Sequence, residues 1–195
     1  DGPPVMTGSH IDTVRTGGRY DGNYGVLAGL EVVAALNDAG LTTEHPLAVA
    51  FFTNEEGARF APDMMGSLVY TGALALNDAL AVQGIDGATV GDELARIGYA
   101  GPAPVPAAAP RAFVELHVEQ GPVLDREGID IGVVESVQGI SWTEIDIRGT
   151  SNHAGTTPMS MRRDAGWAAG EIIAFVRELA HELGGDQVAT VGRIE

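Results

Sequence analysis

Pro4-Val5-Met6-Thr7-Gly8-Ser9-His10-Ile11-Asp12 begins as a short apolar run and stops on a histidine and an aspartate. Leu47-Ala48-Val49-Ala50-Phe51-Phe52 repeats the pattern and stops on Thr53-Asn54-Glu55-Glu56-Gly57. Between them, Tyr24 to Ala39 sets Val26, Leu30, Val33 and Leu36 at helical spacing, with Gly40 as a C-terminal stop. Strand, helix, strand is a βαβ unit, which predicts a parallel sheet with a right-handed crossover. The unbroken apolar character of 47–52 predicts a strand covered on both faces. Chemistry in such sheets collects at strand ends, and these two ends carry His10, Asp12, Glu55 and Glu56.

Further along, Ala112-Phe113-Val114-Glu115-Leu116-His117-Val118 predicts a third strand, and Ile131 to Val137 another. Short helices are expected around Leu74–Val82 and Val90–Ile97, and an extended Pro/Ala loop over Gly101–Pro110. Trp142 to Gly149 alternates apolar and polar residues, the pattern of a half-exposed antiparallel strand. A long helix over about Arg162 to Leu183 and a last strand, Gln187–Ile194, complete the reading. The change of strand type near Gly139 predicts two domains, 1–138 and 139–195, the second a sheet with helices on one face. No internal repeat is visible. The chain begins at Asp1 without Met and stops on a strand-like run, so a fragment of a longer protein is expected.

Composition narrows the function. A net charge of -16 and a pI near 4.5 argue against a nucleic-acid partner, which needs a positive face. They leave room for an anionic small substrate, since a bound cation reverses the local field. There is no cysteine, hence no disulfide and no thiolate ligand, which fits a reducing cytoplasm. No apolar run approaches the ~20 residues of a membrane span, and no secretory signal pattern is present.

His10 and Asp12, two apart on a strand, share a face. His10 is a candidate metal ligand and Asp12 the partner of its other ring nitrogen; the plainer reading is a polar turn. A serine triad built on Ser9 and His10 is excluded, because adjacent strand residues point opposite ways. Asp21, after Gly17-Gly18 and before Gly22, either bridges two cations or caps the helix that follows. Glu55 and Glu56 repel each other unless a cation or proton intervenes. Glu56 reads as ligand and Glu55 as general base, against a merely solvated acidic loop. His117 is a ligand or a structural strand histidine. His153, in Ser151-Asn152-His153-Ala154-Gly155-Thr156-Thr157-Pro158, could donate to a developing oxyanion or could be an idle loop residue. His45 and His181 are given no task. The apolar positions of the long helix, including Trp167, Ile172, Val176 and Leu179, read as core or interface. No His-Glu-x-x-His pattern occurs, so a helix-borne zinc site is excluded.

Five strings, Gly8 to Val14, Gly17 to Gly22, Phe52 to Phe60, Glu115 to Pro122 and His153 to Met159, occur in an order that resembles one family. These are the di-metal amidohydrolases that include N-carbamoyl-L-amino-acid hydrolase, allantoate amidohydrolase and β-ureidopropionase, within the zinc-peptidase superfamily. The resemblance covers nearly the whole chain. It implies an α/β catalytic domain with a mixed, largely parallel sheet over 1–138, and over 139–195 part of an α+β lid and dimerisation domain. It implies two divalent metal ions (zinc, or manganese, cobalt or nickel). His10 and His117 would bind one, Asp21 would bridge and Glu56 would bind the second, with Glu55 as base and Asp12 behind His10. Gln120 and His153 would contact a small ureido substrate, His153 reaching the site of the other subunit of a homodimer. The family takes a further histidine ligand and lid Asn and Arg residues from positions this chain does not reach. The implied reaction is cleavage of a carbamoyl C–N bond in N-carbamoyl-L-amino acids. Its alternatives are allantoate or ureidoglycolate hydrolysis, peptidase or aminoacylase activity, or an inactive fragment.

Overall fold

The computed structural model describes residues 2–195. By its contacts the chain divides into two units, the first ending at Val133 and the second beginning at Val134, a few residues ahead of the change expected near Gly139.

The first unit is built on three strands, β1 (Val5–His10), β2 (Leu47–Phe52) and β3 (Ala112–Val114), in the order β2-β1-β3. Both pairings are parallel: Val5 lies opposite Leu47 and Ala112, and His10 opposite Phe52. Helix α1 (Asn23–Asp38) provides the crossover between β1 and β2. Its sheet-facing stripe keeps Val26, buried, and Val33 and Leu36, half-buried, but not Leu30. Gly25, Val26 and Gly29 are buried, while Leu30 is 53% exposed. The glycines explain this. A Cβ at Gly29 would lie 2.9 Å from Thr7 Cγ2 and 3.1 Å from Val49 Cγ1, so backbone rather than leucine rests on the sheet.

On the opposite face, Phe52 meets Tyr70 edge-on at 5.8 Å and Phe113 at 6.1 Å. Tyr70 belongs to α2 (Met65–Thr71). Cover on both faces of β2 is incomplete, since β2 is an edge strand and Phe51 is 52% exposed. Helices α3 (Leu76–Ala81) and α4 (Val90–Arg96) match the two short helices read from sequence. With α2 they close a small core of Phe60, Met65, Ala79 and Val90. A further short helix, α5 (Val123–Glu127), follows β3.

The second unit is carried by α6 (Ala165–Leu183), whose Asp164 caps the first turn by accepting from the N–H groups of Gly166 and Trp167 at 2.9 and 3.2 Å. The strands expected at Ile131–Val137, Trp142–Gly149 and Gln187–Ile194 are not formed. A period-2 pattern specifies which face a strand buries, but the strand itself requires a ladder partner, and these segments pair with none among the described residues. Likewise β3 pairs only over Ala112–Val114, and 115–118 continue without ladder bonds. α6 buries none of its residues within this unit, so its apolar stripe is not a core here. No helix among the described residues is long and apolar enough to cross a membrane.

Candidate metal centre

β1 ends in a pocket made by the absence of a side chain. His10 is 2% exposed, and its ring occupies the space where Gly22 would carry a Cβ, 2.5 Å from three ring atoms. Gly22 also has φ +68°, a conformation that favours glycine. Three residues on, Gly25 packs against the carbonyl of Leu116 and comes within 3.0 Å of Ser9 Cβ at the position a Cβ would take. These close approaches draw the start of α1 and the segment after β3 onto the tip of β1. Asp21 and His117 arrive with them. Asp21 does not cap α1: the cap position is Gly22 and no side chain bonds there.

The main chain orients both imidazoles in the same sense. His10 Nδ1 donates to the Asp12 carbonyl oxygen at 2.9 Å, and His117 Nδ1 to that of Val118 at 2.8 Å. Carbonyl oxygens only accept, so each Nδ1 carries hydrogen and each neutral ring turns its Nε2 lone pair inward. Both Nε2 atoms face Asp21 Oδ1, at 3.8 Å from His10 and 3.3 Å from His117. That oxygen is buried without a hydrogen-bond partner. The other, Oδ2, accepts from Gln120 Nε2 at 2.7 Å.

Glu55 and Glu56 stand at the end of β2, beside β1. Asp12 accepts their two backbone N–H groups, one on each carboxylate oxygen, at 3.1 Å. It therefore binds the tip of β2 to the tip of β1 rather than capping a local turn. Its carbonyl, not its carboxylate, makes the closer approach to His10 Nδ1, the carboxylate standing 3.6 Å away. Glu55 Oε2 lies 3.5 Å from His10 Nε2. Burial raises the Glu55 carboxyl above its ordinary value; His10 opposes this, and Glu56, Asp12 and Asp21 add to it by like charge. Glu56 is raised in the same way, by burial first and then by Asp21 beside it, and its Oε1 is buried and unpartnered.

Lone pairs converging without hydrogens between them call for a positive charge. Two triads of ligand atoms lie within 4.8 Å of one another: His10, Asp21 and His117, and His10, Glu55 and Glu56. The first is the set expected around one ion; the residue common to both triads is His10, and the second brings in Glu55 beside Glu56. Two imidazole nitrogens with carboxylate oxygens suit zinc, manganese, cobalt or nickel. The orphaned Asp21 Oδ1 and Glu56 Oε1 are the atoms such ions would satisfy, so the residues present fit a divalent metal.

The sequence model for Peptidase family M20/M25/M40 matches residues 6–194. The chain belongs to this family. It is 46% identical, over its whole length, to 47% of an N-carbamoyl-L-amino-acid amidohydrolase of Rhizobium meliloti. It is 37% identical to a ureidoglycolate hydrolase of Arabidopsis thaliana, over 98% of this chain and 42% of the relative. A solved hydantoinase/carbamoylase family amidase from Burkholderia ambifaria superposes with a TM-score of 0.75 at 44% identity, covering 98% of this chain and 47% of that one. The chain thus spans about half the length of the relatives it matches.

Within this M20 chain, the first unit gathers His10, Asp12, Asp21, Glu55, Glu56, His117 and Gln120. His153 belongs to the second unit, where its Nδ1 accepts the backbone N–H groups of Gly155 and Thr156 at 3.1 and 3.2 Å. His45 precedes Pro46 with Nδ1 buried and unpartnered. His181 lies in the last turn of α6, where a cation would suit the helix dipole. Sequence reading missed Asn54. It has φ +54°, and its Nδ2 donates to the carbonyls of Phe60 and Pro62 at 2.8 and 3.2 Å, folding the loop that carries Glu55 and Glu56. An asparagine directly before the tandem glutamates was the available signal, since Asn tolerates the left-handed region. Ser9 was also missed: it is 2% exposed, and its hydroxyl donates to Glu115.

Proposed function

We propose that this chain is the metal-binding part of a cytoplasmic, homodimeric amidohydrolase that cleaves the carbamoyl C–N bond of N-carbamoyl-L-amino acids. The observation that carries the proposal is the convergence of His10 Nε2 and His117 Nε2 on the orphaned Asp21 Oδ1, with His10 and Asp21 buried and His117 open to solvent. His10, His117 and Asp21 would hold one divalent cation, and Asp21 with Glu56 a second. When bound, such cations supply Lewis acidity, lowering the pKa of water toward about 7 and polarising the carbonyl.

The remaining work falls to side chains. Glu55, a partly buried carboxyl with its proton affinity raised, removes the proton from the attacking water and returns it to the leaving nitrogen. Gln120 contacts the ureido group, and the partner's His153 donates to the oxygen on which charge develops. The products are an amine, ammonia and carbon dioxide. The identity to a plant ureidoglycolate hydrolase supports a second reading, with ureidoglycolate or allantoate as substrate and the same chemistry.

The test uses the full-length protein, stripped by chelator and reloaded singly with zinc, manganese, cobalt or nickel. It is assayed on N-carbamoyl-L-amino acids, ureidoglycolate, allantoate and dipeptides. Metal-dependent ammonia release from N-carbamoyl-L-amino acids is expected. Turnover confined to ureidoglycolate or allantoate selects the second reading; turnover confined to dipeptides, or full activity without metal, sinks both.

A further inference from the structure

His153 lies in a turn whose peptide groups are held at both ends. Gly155 and Thr156 direct their N–H groups at Nδ1, and Thr157 N–H closes the turn on the His153 carbonyl at 3.3 Å. Backbone N–H groups only donate, so Nδ1 carries no hydrogen and the neutral ring holds its hydrogen on Nε2. The Gly155 N–H belongs to the same peptide as the Ala154 carbonyl. That carbonyl accepts from Arg162 Nη2 at 2.6 Å, while Arg162 Nε donates to the Thr157 carbonyl at 3.1 Å. One planar fork therefore spans the turn, gripping the Ala154–Gly155 peptide by its oxygen while the imidazole takes its hydrogen. A donor at the carbonyl end also strengthens the N–H at the other end. Without the fork, a peptide next to glycine is free to rotate, and its N–H would leave Nδ1.

We propose that Arg162 is a positioning residue: by pinning the Ala154–Gly155 peptide it fixes His153 as an Nε2–H donor. The use of that donor in hydrolysis rests on the role given to His153 above; the clamp itself does not. Lysine replaces the fork only in part, because one ammonium can hold one carbonyl but does not span two in a fixed plane.

The experiment labels histidine with ¹⁵N in the full-length protein and reads the His153 tautomer from two-bond proton–nitrogen correlations, with turnover measured on the same samples. Wild type is expected to show the Nε2–H form alone. Arg162→Ala should show a mixture with the Nδ1–H form and a kcat lower by roughly tenfold, as for a misdirected oxyanion donor, with KM changed less. Arg162→Lys should recover part of both. An unshifted tautomer in Arg162→Ala overturns the proposal whatever the activity. Should that variant fail to fold, Arg162→Gln is read by the same rule. Unchanged turnover in His153→Ala removes His153 from the reaction and overturns the catalytic use of the clamp, while the tautomer readout still judges the clamp itself.

Discussion

The two units fix their histidines in opposite senses. At the tip of β1, main-chain carbonyls of Asp12 and Val118 take the Nδ1 hydrogens of His10 and His117, leaving Nε2 as a lone pair. In the turn before α6, main-chain N–H groups of Gly155 and Thr156 occupy Nδ1 of His153, leaving Nε2 as a donor. The same side chain offers a lone pair in one place and a hydrogen in the other, and the choice lies in which end of a peptide faces the ring.

The largest expected effect removes a proton acceptor without disturbing the ligands. Glu55→Gln in the full-length protein should lower turnover by about 10²–10⁴-fold while metal analysis finds the same content as wild type. Loss of metal instead would make Glu55 a ligand. Next in size, Asp12→Ala keeps the carbonyl that orients His10 but deprives the Glu55 and Glu56 N–H groups of their acceptor. Metal affinity by titration calorimetry should fall about 10–100-fold, and ¹⁵N spectra of the metal-free protein should still show His10 as the Nδ1–H tautomer. A change of that tautomer would mean that the carboxylate, not the carbonyl, sets the ring, and the contrast with His153 would lose half its basis.

A smaller effect lies away from both sites. Arg96 first, and then Arg59, hold the Glu93 carboxyl to about 2, below its ordinary 4.5, through their hydrogen bonds. A depressed carboxyl contributes stability that is present above the unfolded value and lost as pH falls toward the folded one. Glu93→Gln should therefore flatten the stability profile between pH 4.5 and about 2, followed by urea melts, and leave metal affinity unchanged. The least effect is expected at Trp167, 68% exposed on α6: Trp167→Ser should change the unfolding free energy of the monomer by less than about 0.5 kcal/mol. A larger loss would show that α6 is packed in solution.

Legibility in the sequence followed the same divide. The βαβ unit was readable because its hydrophobic periods and its turn residues agree, and the strand ends named the residues that meet there. The α1 stripe was readable in period and largely in phase: Val26 is buried and Val33 and Leu36 half-buried, while Leu30 is exposed and Gly25 and Gly29 rest on the sheet because only they permit so close an approach. Residues 142–149 were not readable as they stand, because alternation encodes a face and not a partner. Gln120 was given a substrate role through family resemblance; nothing local announces that its amide reaches Asp21 across 99 positions of sequence.

Gly22 bears on any attempt to re-engineer this pocket. The void it leaves is already filled by an imidazole, so saturation libraries gain nothing at position 22. Tyr20 and Tyr24 flank it with 69% and 46% of their surface open to solvent. New shape can be written at those two positions, one and three residues from Asp21, without moving the ring beneath.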